Sequence, residues 1–445
     1  MSDSHTKAPV VARGILVPFI LITFLFALWG FANDITNPMV SAFKKILELD
    51  NFQASLVQLA FYGGYFTMAL PAAMFVKRYS YKVGVLIGLA LYAVGALLFF
   101  PAAAMESYPF FLIALYVLTF GLAFLETTAN PYILSMGAPE TATQRLNLAQ
   151  SFNPMGALSG LFVAQTFVLG ALQSDDMDAA GNSIYETLEG SAKAAVKSSD
   201  LAVIRDPYVV LGLFVIGMFV LIYLVKMPEK KKEGNNLNLQ ESLRRLLTNP
   251  KYREGVLAQV FYVGAQIMCW TYIYQYAETL GINNQDAVTY AYWALGVFLV
   301  GRFVCTFLLK YINSAQLLMY LAIAAMVFVL GTMFIVGMLG LYSLVMVSFC
   351  MSLMFPTIYG IALEGLGEEM EYGAAGLVMA IVGGALMPTL QGLILDIGGV
   401  GYTDTLILGV PEVNFSFVLP LLCFLFIAFY GFRVYRHHDI EISRS

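Results

Sequence analysis

The residues at 125–133, LETTANPYI, place a carboxylate, Glu126, in a run that otherwise belongs in hydrocarbon. The fifteen positions before it, FFLIALYVLTFGLAF at 110–124, are apolar or nearly so. A charge near the middle of a membrane span costs roughly 2.5–3.5 kcal/mol on insertion scales, so it is kept where it faces a cavity or a partner within a bundle. Asn130 lies four residues on and shares the helical face of Glu126. Pro131 then withdraws a backbone N–H where that polar face ends. A protonatable acid beside an amide, facing inward, suits proton-coupled movement of a polar solute.

Other apolar runs carry further polar groups. ALWGFANDITNPMV at 27–40 holds Asn33, Asp34 and Asn37, with Asp34 and Asn37 three apart on one helical face and Pro38 loosening the backbone beside them. Asp34 reads two ways, as a solvated group near the outer mouth or as a second titratable group that helps to hold a solute. RLNLAQSFNPMGA brings Asn147, Gln150 and Asn153 onto one stripe at a three-residue spacing. Each amide offers a donor and an acceptor, which matches adjacent sugar hydroxyls; the competing use is hydrogen bonding between helices, which we expect of Asn147.

LAQVFYVGAQIMCWTYIYQYAE at 257–278 aligns Gln259, Tyr262, Gln266, Trp270 and Tyr274 on one face. Amides with aromatic rings suit a carbohydrate, whose hydroxyls take hydrogen bonds while its C–H face packs on a ring. An interfacial belt accounts for Tyr274 but not for Gln266 near mid-span. Gln58 and Tyr62 are the candidates for an opposing wall. Arg302, in GRF, is the basic residue within an apolar run, and we expect it to form a structural or gating ion pair.

These side chains need membrane helices to hold them. The chain has 445 residues, 59% of them hydrophobic and only 12% charged, a balance that indicates a polytopic membrane protein. Twelve apolar stretches are each long enough to cross about 30 Å of hydrocarbon: 15–40, 55–76, 83–103, 109–135, 145–172, 207–227, 253–281, 286–310, 315–336, 339–364, 373–397 and 413–433. The first is too long for a signal h-region and reads as a retained span. With both termini inside, eighteen of the 24 basic residues fall on the cytoplasmic side and five on the other, Arg302 being the remaining one. That bias predicts both termini in the cytoplasm, in a plasma or inner membrane, with an acidic outside loop over 173–206.

The four cysteines lie in spans and the three histidines at the extreme termini, so neither a disulfide framework nor a metal cluster nor a Ser–His triad is expected. There is no Walker A sequence. The reading is therefore not an enzyme, with no cofactor and no nucleic-acid partner. The segment 227–252, rich in Lys and including the flexible Gly234–Asn236 stretch and the amphipathic NLQESLRRLL, separates an N-terminal domain (1–226) from a C-terminal domain (253–445), six spans each. Pro131 and Pro356 in spans four and ten, and Gln165 and Gln391 in spans five and eleven, recur at offsets of 225 and 226. Such paired Gly/Pro interruptions mark repeat-built transporters.

Taken in order, FALWGFAN (26–33), QLAFYGGYF (58–66), KRYSYKVG (77–84), LETTANP (125–131), RLNLAQSFN (145–153), LAQVFYVGAQIMCW (257–270) and FPTIYG (355–360) resemble the fucose–galactose–glucose:proton symporter family of the major facilitator superfamily. The resemblance implies an all-α membrane protein of twelve transmembrane helices in two pseudo-symmetric six-helix domains, a central sugar site and alternating access. It implies that Glu126 is the proton-linked glutamate. The family's span one runs from its Trp-Gly pair to an LND triplet, whose aspartate falls on Asn37 here, with Asp34 one turn earlier. The Tyr that precedes the span-ten Pro is replaced by Phe355.

The expectation is a monomeric secondary transporter that imports a monosaccharide, L-fucose above others, with protons. Glu126 and Asp34 would couple the proton; Asn33, Asn37, Gln58, Tyr62, Asn130, Gln150, Asn153, Gln259, Tyr262, Gln266 and Trp270 would hold the sugar. One alternative is a sodium-coupled hexose or amino-sugar carrier of the same fold, favoured by Asn37. Another, of a different class, is a membrane-embedded enzyme or sensor, against which the lack of an internal His or metal cluster argues.

Overall fold

A computed structural model describes residues 9–49, 51–176, 178, 183–228, 239–282, 284–395, 397 and 405–442. Among them are twelve helical spans long and apolar enough to cross a membrane: Leu16–Thr36, Leu59–Arg78, Tyr81–Ala104, Tyr108–Ser135, Pro139–Ala171, Gly190–Leu224, Pro250–Thr279, Asp286–Leu308, Ser314–Phe334, Met338–Leu363, Gly367–Leu395 and Glu412–Arg436. The protein is thus an all-α, multi-pass membrane protein. The only strands described are two residues each, Leu406–Ile407 paired with Val410–Pro411.

Spans five, seven, ten and eleven are interrupted. Span five breaks between Gln150 and Asn153 and carries a wide turn at Ala164–Val168. Span seven breaks at Tyr272, span ten between Met351 and Met354, and span eleven at Ala380–Val382. Within a membrane, irregular backbone is tolerated where protein or a cavity buries it, and two of these spans, five and seven, carry amides and aromatic rings singled out above.

Span six departs from expectation. Its helix begins at Gly190 and runs 35 residues, so much of the supposed outside loop is helical. The Ala-rich run from Ser191 has good helix propensity, and it buries Leu201 and Ile204. Asp200, fully buried, accepts from the backbone N–H groups of Gln173 (3.0 Å) and Ser174 (2.9 Å) and fixes the preceding turn. Acidic and basic groups at this end also pair, Lys45 with Asp175 at 2.8 Å and Lys193 with Glu48 at 2.6 Å.

The chain divides into two units. The first comprises Val17–Ala129 and Phe152–Lys230; the second comprises Met1–Leu16, Asn130–Ser151 and Lys231–Ser445. In the first unit, spans one and five touch backbone to backbone. A Cβ on Gly30 would fall on the carbonyl of Asn153, and one on Gly156 on that of Ala27. Small residues permit this approach, and it places Asn153 against span one.

In the second unit, Asn130–Ser151 packs on spans eight and ten. Asn147 donates to the Thr357 hydroxyl (3.1 Å) and Gln144 to the Thr306 carbonyl (3.3 Å). Arg145 is fully buried and donates to the carbonyls of Ile133 (2.8 Å) and Leu134 (2.7 Å) and to the Thr141 hydroxyl (3.2 Å). The amphipathic segment is helical over Leu239–Thr248 and buries Leu246. The Lys run and the Gly234–Asn236 stretch before it lie outside the described residues.

Candidate functional site

In the first unit, span four buries Glu126, which is 4% exposed, between the buried Leu125 and Thr127. The i−4 carbonyl of Phe124 accepts from the Thr128 hydroxyl at 2.6 Å, so that hydroxyl adds no orphan donor to the apolar surround. Tyr65 of span two lies within electrostatic reach of Glu126. Its hydroxyl accepts from Trp29 Nε1 at 2.6 Å, and Trp29 stacks on Phe26 with centroids 5.6 Å apart. Asn153 Nδ2 donates to the Phe26 carbonyl at 3.2 Å.

Asn33 and Asp34 in span one are both half-buried, and Asn33 Nδ2 approaches Asp34 Oδ2 to 3.4 Å. Asp34 interacts electrostatically with Tyr62, and Tyr62 with Tyr65. The two tyrosines stand three apart on one face of span two, so a pair of phenols joins the surroundings of Asp34 to those of Glu126. Sequence reasoning picked Tyr62 and passed over Tyr65 and Trp29. The QLAFYGGYF spacing held the signal for Tyr65, and Trp29 carried none beyond its membrane location. The side chains of Asn37 and Gln58 lie outside the described residues.

In the second unit, Gln150 donates to Asn130 Oδ1 at 2.7 Å, with both residues buried. The predicted amide stripe is therefore split. Asn147 bonds Thr357, Gln150 bonds Asn130, and Asn153 belongs to the other unit and bonds span one. Span seven buries Gln259 and Tyr262 completely and leaves Gln266 and Trp270 half-buried. Tyr262 donates to the Met351 carbonyl at 3.2 Å, at the break in span ten, and meets Phe355 edge-on at 6.1 Å. Trp270 donates to the Ser348 hydroxyl at 3.1 Å and meets Phe298 edge-on.

Gln259 stands apart. Neither its Nε2 nor its Oε1 has a hydrogen-bond partner. A buried amide left unsatisfied costs about 1–3 kcal/mol, a burden that a polar ligand or water would relieve.

Arg302 corrects an expectation. It is 3% exposed and takes part in none of the ion pairs among the described residues. Its Nη1 donates to the Gln150 carbonyl at 3.3 Å, and its guanidinium lies 4.9 Å from the Phe298 ring centre. A carbonyl and an aromatic face solvate the cation where an acid was expected. Tyr262 is also within its electrostatic reach. Among the described residues no cluster of His, Cys, Asp and Glu is arranged to hold a metal ion, and all four cysteines are free and buried.

The profile of the Major Facilitator Superfamily matches residues 21–388. An L-fucose-proton symporter of Haemophilus influenzae is 57% identical over 431 residues, covering 97% of this chain and 99% of that protein. An L-fucose-proton symporter of Escherichia coli is 34% identical, with 93% and 92% covered. Among solved structures, the crystal structure of FucP, a major facilitator superfamily transporter in the outward conformation, superposes with a TM-score of 0.84 at 33% identity, over 95% of this chain and 99% of that one.

Proposed function

The chain belongs to the major facilitator superfamily, and from that premise we propose that it imports L-fucose by proton symport with alternating access. It is a transporter, not an enzyme. The observation that carries the reading is Glu126, a carboxylate buried within a membrane span, in a chain 57% identical to an L-fucose-proton symporter. The basic-residue bias supports an inner-membrane location with both termini in the cytoplasm. The two six-span halves, 1–226 and 253–445, act as a monomer's two rocking domains.

In the proposed cycle Glu126 takes a proton from outside, and the neutral acid permits sugar to bind. Conversion to the inward state lets the sugar and the proton leave to the cytoplasm. Asp34 is the second titratable group, connected to the first through Tyr62 and Tyr65. Asn33, Asn37, Gln58, Asn130, Gln150 and Asn153 contribute amides, and Gln259, Gln266, Tyr262 and Trp270 recognise the pyranose. Rings present a face to its C–H groups, and amides bond its hydroxyls. Arg302 gates by holding the Gln150 carbonyl.

Uptake of radiolabelled L-fucose, galactose, glucose and N-acetylglucosamine into proteoliposomes tests this reading, under a proton gradient and separately under a sodium gradient. Accumulation of L-fucose driven by protons alone is expected. Accumulation that requires sodium would overturn proton coupling and favour the sodium-coupled carrier; accumulation of another sugar would overturn the substrate.

Gln259→Leu has a distinct expected outcome. The side chain makes no protein hydrogen bond, so the variant should fold and melt at or above the wild-type temperature. If Gln259 bonds the sugar, half-saturation should rise about tenfold, the equivalent of about 1.4 kcal/mol. Initial-rate uptake paired with thermal melting reads both, and unchanged half-saturation would remove Gln259 from the site.

A further inference from the structure

A groove of about 510 Å³ opens where spans eight and ten both begin, lined by Asp286, Thr289, Tyr290, Trp293, Tyr342 and Val345. This volume falls in the range of ligand-binding clefts, and the groove lies wholly within the second unit. Its lining from span eight is spaced at i, i+3, i+4 and i+7, so one helical face supplies a carboxylate, a hydroxyl and two aromatic rings. Tyr342 of span ten closes the opposite side, its ring centre 6.4 Å from that of Tyr290. Trp293 is 65% exposed and Tyr342 is half exposed.

The groove continues into apolar surface. Trp293 is followed on its own helical face by the exposed Val300, Val304 and Phe307, and Tyr342 is flanked by the exposed Leu339 and Met346. On a membrane helix such stripes face acyl chains. A polar, aromatic groove at the head of an acyl track is shaped for a lipid, with its headgroup in the groove and a chain along the stripe. The charge selects the headgroup. The lining holds one acid and no base, which disfavours anionic headgroups. Aromatic faces together with a carboxylate favour an ammonium group.

We propose that this groove binds the ammonium headgroup of a zwitterionic aminophospholipid such as phosphatidylethanolamine. In the orientation proposed above the bound lipid lies in the outer leaflet. A free sugar would use the rings and the acid but not the apolar stripe that follows them.

The test uses the full-length protein in vesicles that contain a fixed fraction of lipid with brominated acyl chains, carried either on phosphatidylethanolamine or on phosphatidylglycerol. Subtracting the emission of Trp293→Phe from that of the wild type isolates quenching at Trp293. The brominated phosphatidylethanolamine should quench that component at least twofold more than the brominated phosphatidylglycerol, and Asp286→Asn should bring the two towards equality. Equal quenching by both lipids in the wild type, or no Trp293-dependent quenching by either, would overturn the proposal. Relief of the quenching by L-fucose would overturn it in favour of a sugar.

Discussion

Glu126→Gln should abolish accumulation of sugar and leave exchange intact. A symporter that moves one proton per sugar converts the membrane potential into a concentration ratio. At 100 mV the work is about 2.3 kcal/mol per charge, and about 1.4 kcal/mol corresponds to a factor of ten, so the wild type should accumulate sugar about 50-fold on the potential alone. Glutamine keeps the size of the side chain and its capacity to donate a hydrogen bond, so it imitates the protonated acid. A carrier locked in that form can bind sugar and change conformation loaded, but it cannot release a proton to reset. The internal-to-external ratio in energised vesicles should therefore fall to about one, while counterflow between preloaded and external L-fucose persists. Counterflow in the variant should also be independent of pH, whereas wild-type net uptake should rise as the external pH falls, because the proton is a co-substrate on that side. Retained accumulation in Glu126→Gln would remove the residue from coupling.

How much of this was legible in the sequence depends on the kind of interaction. Apolar run length and the placement of basic residues specify twelve spans, because hydrocarbon thickness and backbone hydrogen bonding leave few alternatives. The polar residues inside those runs were equally visible, since a carboxylate or amide in lipid stands out one residue at a time. Pairing was not visible. Arg302 invited an acid, yet its partners are the Gln150 carbonyl and the Phe298 ring, neither of which has a signature in spacing, and its Nε is left without a hydrogen bond among the described residues. Arg145 counted as a surface charge for orientation and is in fact fully buried among carbonyls at the turn from span four to span five. The three amides of span five looked like one stripe on an ideal helix. The break between Gln150 and Asn153 sends them to three different partners. Span six is read from its apolar run as starting at 207, after the acidic stretch taken as an outside loop, whereas the helix starts at Gly190 and passes through Pro207. A proline removes one backbone bond and need not end a membrane helix when neighbours satisfy the freed carbonyl.

Asp34→Asn should cost at least tenfold in proton-driven accumulation, and moving the acid should restore it. The resemblance to the symporter family places an aspartate at position 37, where this chain has asparagine, while Asp34 occupies the turn before. Both positions lie on one face of span one, three residues apart, a rise of about 4.5 Å. A carboxylate that can rotate about its side chain spans a good part of that distance, so one acid can serve from either position. The structure gives Asp34 surroundings suited to the work, with the Asn33 amide at 3.4 Å and Tyr62 within electrostatic reach. Asp34→Asn leaves two amides and no acid on this face, so Glu126 would have to couple alone. If the face needs only one carboxylate, Asp34→Asn combined with Asn37→Asp should recover most of the lost accumulation, whereas Asn37→Asp alone adds a second acid beside the first. Two carboxylates one turn apart repel, so that single variant should shift the pH dependence of uptake without abolishing it. Full accumulation in Asp34→Asn would assign coupling to Glu126 alone. Loss of accumulation with no recovery in the exchanged pair would mean that the electrostatic coupling to Tyr62, rather than the presence of an acid on the face, is what position 34 supplies.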